Sequence, residues 1–157
     1  MLTLCLSFAV VVLDQATKHL IRSFLPRVGA VSVIPGLFDL RYVRNTGAAW
    51  GIFEGFNQWL VLLSVAMLVF ILGWRRHFLP DALVPRIAAG LMIGGIAGNL
   101  VDRVRLNYVV DFLDFYWRTH HFPTFNVADS AICTGVGLYL LFQLRGNSPK
   151  PDGAARP

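Results

Sequence analysis

RIAAGLMIGGIAGNLVDRV, Arg86 to Val104, is apolar almost throughout until Asn99 and has close to the 20 residues that a helix needs to cross a hydrocarbon core of about 30 Å. Gly90, Gly94 and Gly98 recur every four residues, a stripe of small residues that lets a neighbouring helix approach closely. Gly95, Asn99 and Arg103 form the adjoining stripe, so the same close packing aims Asn99 and Arg103 at a shared partner. The stretch reads as a membrane helix with a polar outer end. Spacing alone leaves two roles open for that end, an interhelical hydrogen-bond network or substrate binding.

Outward from this block, the rest of the chain repeats the pattern. Of 157 residues, 55% are apolar and only 15% charged, and the mean hydropathy is +0.58. A soluble domain has about 45–50% apolar and about 25% charged residues, so disorder is excluded and the balance argues against an ordinary soluble enzyme. The apolar excess falls in four blocks, which predicts an all-α membrane bundle of four transmembrane helices in one domain, 1–145. The predicted spans are about 2–25, 55–74, 86–104 and 127–144. Block one competes with a secretory signal peptide, but no basic stretch precedes its apolar run and no small-x-small cleavage site follows it. Block two has Trp59 and Trp74 near its ends, placed like interfacial anchors.

The formal charge of +5 comes from scattered Lys and Arg, with Arg75–Arg76 the only adjacent pair, so it reads as a membrane signal and not as a nucleic-acid footprint. Arg75, Arg76 and Arg86 crowd the short loop between spans two and three, and Arg145, Lys150 and Arg156 follow span four. Both regions are therefore expected in the cytoplasm, together with both termini and a disordered tail, 146–157. The outer face then holds segments 26–54 and 105–125, and the alternation in VSVIPGLFDLRYVRN (Val31 to Asn45) predicts a small β-structure there. Cys5 and Cys133 lie in apolar blocks and suggest neither a disulfide nor a zinc site.

Ionisable groups inside a bilayer face a partner or a water-filled cavity, since exposure to lipid costs about 2.5–3.5 kcal/mol on insertion scales. Asp14, Lys18, Asn99, Asp102, Arg103, Asn126 and Asp129 all fall in the outward halves of their spans and together predict one polar pocket open to the outside. Asp14 and Lys18, four apart, make a local ion pair. Asn126 followed by Asp129 reads as a helix cap, which is compatible with chemistry because a helix N-terminus stabilises a carboxylate. Asp111 and Asp114, in VVDFLDF, are the other carboxylates on the outer segment that feeds this helix, and in a strand they point to opposite faces, so at most one enters the pocket.

Two close carboxylates, one ionised to activate water and one protonated to polarise a carbonyl, are the apparatus of an aspartic peptidase. No serine has a base near it in sequence, and His19, His77, His120 and His121 offer no metal-ligand pair; there is also no phosphate loop. A different class, a small membrane transporter or proton relay, also uses intramembrane Asp, Lys and Arg. A non-catalytic assembly factor is a further alternative.

Five motifs in order, DQATK (Asp14 to Lys18), NTGAAWG (Asn45 to Gly51), GGIAGNLVDR (Gly94 to Arg103), VVDF (Val109 to Phe112) and FNVADS (Phe125 to Ser130), resemble bacterial lipoprotein signal peptidase, also called signal peptidase II. That resemblance implies a membrane aspartic endopeptidase cutting prolipoproteins just before a diacylglyceryl-modified cysteine, without cofactor or metal. It implies Asp111 and Asp129 as the catalytic dyad, and Asp14, Lys18, Asn45, Gly47, Asn99, Arg103, Asn126 and Ala128 as substrate-site residues. It further implies a monomer in the bacterial inner membrane, in contact with lipid, with its site near the outer face and open to globomycin-type inhibitors. Two departures stand out: Trp50 replaces a common Phe, and only thirteen residues precede Asp14, leaving a short inward half to the first span.

Overall fold

The computed structural model describes residues 1–48, 52–78 and 82–146. Trp50, the centre of the loop between spans two and three, and the predicted tail beyond Gly146 lie outside the described residues, as do the side chains of residues 74–78. Four helices and four short strands alternate along the chain: α1 (Leu2–Val28), β1 (Val31–Ile34), β2 (Phe38–Asn45), α2 (Asn57–Phe78), α3 (Leu83–Leu106), β3 (Val109–Trp117), β4 (His120–His121) and α4 (Val127–Gly146).

Helix α1 runs three residues beyond the predicted end, with Pro26 in its last turn. Gly29, at φ 78°, then stops it, and its N–H closes on Leu25 O at 2.8 Å. At the other end of α3, Pro85 is tolerated in the first turn, where a backbone N–H has no helical acceptor. Asn107 ends α3 in the left-handed conformation, φ 62°, with its N–H on Arg103 O. By length and composition α1, α3 and α4 are each able to cross a membrane, while the apolar part of α2 among the described residues, Asn57–Gly73, is shorter.

Burial is inverted relative to a soluble protein. Large apolar side chains on the helices point outward, Phe8 at 72% and Leu144 at 71% exposure, whereas Asp14, Lys18 and Asn126 are 0–2% exposed. That is the pattern of helices whose outer surface meets lipid and whose polar groups find partners inside.

Helix α3 is the centre of the bundle, and its glycines set the distances. A Cβ at Gly94 would lie 2.7 Å from Val10 Cβ on α1, and one at Gly95 only 2.4 Å from Ala128 O on α4. The Gly90–Gly94–Gly98 stripe thus packs on α1, while Gly95 faces α4. Beyond the helix ends the strands form one antiparallel sheet in the order β1-β2-β3-β4, which contains the β-structure expected from the alternating stretch. Between Leu40 and Val43 the β2–β3 register slips, so that Val43 lies opposite Asp111 and Asn45 opposite Val109. The extra residue re-aims the end of β2, placing Asn45 diagonally across from Asp111 on the same face.

Candidate active site

The first turn of α4 brings the first carboxylate into place. Asn126 Oδ1 accepts from the Asp129 N–H at 2.9 Å, and Asp129 Oδ2 accepts from the Asn126 N–H at 3.2 Å. This reciprocal cap, read from the sequence, orients Asp129 at the positive end of the helix. The other Asp129 oxygen, Oδ1, accepts from Asn99 Nδ2 at 2.7 Å.

Asp111 arrives from β3. Its Oδ2 accepts from Asn45 Nδ2 at 2.8 Å and its Oδ1 from Asn126 Nδ2 at 2.7 Å. Asn126 therefore joins the two aspartates, donating to one carboxyl and accepting from the backbone of the other. Burial pushes the Asp111 carboxyl up to about 7, the negative charge of Asp129 adds to the rise, and the amide donors of Asn45 and Asn126 oppose it. Asp114, three residues on, turns away to His121 and Arg41.

Behind this pair lies a buried cation. Lys18 Nζ sits 2.9 Å from Asp14 Oδ2, 3.2 Å from Asp102 Oδ2 and 2.9 Å from Asn99 Oδ1. The predicted Asp14–Lys18 pair is present, as part of a wider junction. Asp14 Oδ1 accepts from the Ala128 N–H at 3.0 Å, tying α1 to the start of α4. Asp102 Oδ2 accepts from the Val110 N–H at 3.0 Å, which fixes β3 one residue before Asp111. Gln15 Nε2 completes the junction, donating to Asp102 Oδ1 at 3.0 Å, to Gly98 O at 3.1 Å and to Asp14 Oδ2 at 3.2 Å.

Asp111 and Asp129 both line a cavity of about 560 Å³. Its wall is apolar where α2 contributes Leu60, Leu63 and Met67 and where Ile96, Ile132 and Cys133 close the far side; Phe122, Pro123, Thr124 and Phe125 form its outer edge. Of the other predicted site residues, Asn45, Asn99 and Arg103 line this cavity, and Gly47 lines a smaller adjoining one that also reaches Asp111. Asp14, Lys18, Asn126 and Ala128 stand behind the wall and hold it in place. Ala128 is fully buried and its Cβ faces Gly98, so only a small side chain fits there.

Asn99 and Arg103 do not share a partner. Asn99 bonds to α1 and α4, whereas Arg103 Nη2 donates to Gly47 O at 3.1 Å. Gly47 is itself pinned: its N–H donates to Asn45 Oδ1 at 2.9 Å, and a Cβ there would lie 2.8 Å from Ile52 O. Gln15 was given no role by the sequence reading, and Asp102 was read only as one of the residues of the polar pocket. The available signal was their position, since Gln15 adjoins Asp14 and Asp102 lies three residues after Asn99. Among the described residues no group of three His, Cys, Asp or Glu side chains is placed to hold a metal ion.

Comparison with known proteins gives a consistent result. The family model described as signal peptidase (SPase) II matches residues 6–145. A lipoprotein signal peptidase of Syntrophotalea carbinolica is 48% identical over 146 residues, 90% of each chain. One from Geobacter metallireducens is 44% identical over 138 residues, 85% of each. A bacterial membrane enzyme solved by the in meso method at 2.3 Å resolution superposes with a TM-score of 0.81 at 30% identity, covering 98% of this chain and 94% of the other.

Proposed function

The chain belongs to the signal peptidase II family, and on that premise we propose that Asp111 and Asp129 are the catalytic dyad of its aspartic endopeptidase activity. It is a bacterial multi-pass membrane enzyme that removes the signal peptide from prolipoproteins. The observation that carries the dyad is that carboxyls from two separate elements open on one cavity, each clamped by asparagine amides, with Asp111 pushed up to about 7.

We assign the shared proton to Asp111, whose carboxyl is pushed up by burial, and the charge to Asp129, whose Oδ2 accepts from the Asn126 N–H at the N-terminus of α4. Asp129 takes a proton from a water molecule, and the resulting hydroxide attacks the scissile carbonyl carbon as Asp111 gives its proton to the carbonyl oxygen. In the collapse of the tetrahedral species the proton held by Asp129 passes to the leaving amine, the C–N bond breaks, and a hydroxyl proton returns to Asp111. Arg103 and Asn45 flank the cavity as donors that orient the peptide, and Asn99 and Asn126 keep the two carboxyls in register.

The substrate we assign is the diacylglyceryl-modified prolipoprotein, cut just before its modified cysteine. The apolar wall from α2, α3 and α4 supports this, since acyl chains and an apolar signal segment enter sideways from lipid. We also assign α2 as a fourth span, because its 22 residues rise about 33 Å. Four spans put both termini on one side, which we assign to the cytoplasm, with the sheet and dyad at the outer face, in keeping with the arginine-dense loop at Arg75–Arg86. We also assign a monomer, with a globomycin-type inhibitor occupying the same cavity. A transporter or proton relay would need buried charge continuing inward; among the described residues the buried ionisable groups gather from Asp14 to the sheet.

Purified Asp111→Asn and Asp129→Asn should each lose nearly all cleavage of a lipid-modified prolipoprotein while keeping the wild-type melting temperature, because an amide neither activates water nor exchanges the required proton. Turnover near the wild-type rate in either variant refutes the assignment.

A further inference from the structure

Asp114 is a buried carboxyl that the dyad does not use. It is 1% exposed, and both of its oxygens meet His121 Nδ1, at 2.9 and 3.1 Å. A carboxylate only accepts, so the ring presents Nδ1–H to it. Arg41 Nη1 lies 3.3 Å away on the exposed side. The His121 ring stacks on Tyr116, with centroids 4.9 Å apart, and the Tyr116 hydroxyl donates to Asp39 Oδ1 on β2. Thus a buried acid and an aromatic face of β3 grip one histidine of β4, a strand of only two residues. So short a strand has little pairing energy of its own.

The segment after β4 makes the grip consequential. Phe122, Pro123, Thr124 and Phe125 run directly from His121 along the outer edge of the dyad cavity, and Pro123 and Thr124 also line the smaller cavity on the other side of Asp111. The far end of this strap is fastened twice, by Phe125 N–H to Leu113 O at 3.2 Å with Leu113 N–H back to Phe125 O at 2.8 Å, and then by the Asn126 cap. At the near end Phe122 N–H donates to Phe115 O at 2.8 Å, beside the short β3–β4 pairing and the Asp114–His121 contact.

We propose that Asp114 and His121 form a clasp that positions the Phe122–Phe125 strap as a preformed wall of the substrate cavity, making His121 a positioning residue for substrate binding. The inference rests on that cavity being the substrate site. The hydrogen bonds that hold the dyad carboxyls come from Asn45, Asn99 and Asn126, outside the Phe122–Phe125 strap. Releasing the clasp therefore leaves the chemistry of a bound peptide intact but obliges the peptide to order the wall as it binds. KM rises and kcat holds.

The test uses the full chain in detergent with a lipid-modified prolipoprotein and two substitutions that separate stacking from hydrogen bonding. His121→Phe keeps a ring against Tyr116 but lacks the donor, and should raise KM about tenfold with kcat within about twofold. His121→Asn loses the ring but carries an amide Nδ2 in place of Nδ1–H, and should bring KM back to within about threefold of wild type. A KM unmoved by His121→Phe, a fall confined to kcat, or an asparagine variant as impaired as the phenylalanine one overturns the clasp. If His121→Phe does not fold, Asp114→Leu, of similar volume and without a buried polar atom, removes the other half of the contact, and an unchanged KM there is equally decisive. Full activity in Asp111→Asn overturns the cavity assignment instead, so the two failures are told apart.

Discussion

Lys18→Met removes a side-chain cation that contacts both Asp14 and Asp102, with little change in volume. The ammonium is 2% exposed and has three acceptors within 3.2 Å, two of them carboxylate oxygens from different helices. Without it, Asp14 and Asp102 face one another across the α1–α3 contact with only the Gln15 amide between them. Breaking a buried ion pair from one side costs about 3–5 kcal/mol, chiefly because the remaining charge stays desolvated. In a chain of this size that lowers the melting temperature in detergent by roughly 6–20 °C. Adding Asp14→Asn and Asp102→Asn removes the stranded charges and should recover most of the loss. Activity should behave differently. Lys18 donates to Asn99 Oδ1 and so holds the Asn99 amide with Nδ2 toward Asp129. Without that donor kcat should drop at least about tenfold, and the added neutral substitutions should not restore it. Thermal unfolding and initial-rate measurements on the single and triple variants check both statements. A loss of stability under about 1 kcal/mol in Lys18→Met, or full activity in the triple variant, refutes the reasoning.

Two further predictions concern the dyad and its packing. Because Asp111 titrates at about 7 and is assigned the proton, kcat/KM should fall about tenfold per pH unit above that value, and a flat profile from about pH 6 to 9 contradicts the proton division. The same carboxyl affects stability with a definite sign: its folded value lies above the ordinary 3.8, so the unfolded chain releases the proton first. Stability should therefore decline as pH rises from about 4 toward 7, then level off, which melting curves against pH will show. Gly95→Ala puts a Cβ 2.4 Å from the Ala128 carbonyl oxygen, which is backbone and can yield only by moving α4. It should cost about 1–3 kcal/mol and displace Asp129 enough to reduce kcat, whereas Gly137→Ala, with open space around it, should be nearly silent in both assays.

What the sequence by itself determined are features set by the local period of the backbone. Asp14 and Lys18 meet because four residues complete one helical turn, and the Asn126–Asp129 cap forms because both partners lie within the first turn of α4. The apolar blocks and the alternating stretch at Val31–Asn45 likewise read directly as helices and strands. The same logic misleads over longer spans. Gly95, Asn99 and Arg103 form a stripe at four-residue spacing, yet each such step turns the helix about 40° beyond a full circle. Over eight residues the direction swings by about 80°, so Gly95 faces α4 while Arg103 reaches the Gly47 carbonyl. The choice between Asp111 and Asp114 lies further still from local rules. Their spacing requires opposite faces, the family resemblance favours Asp111, and no local preference says which face looks inward. That was decided by tertiary contacts: the slip between β2 and β3 that sets Asn45 diagonal to Asp111, and the Asp102 carboxylate holding the Val110 N–H. A strand has no inside until another element supplies one, and here α3, β2 and the N-terminus of α4 supply it together.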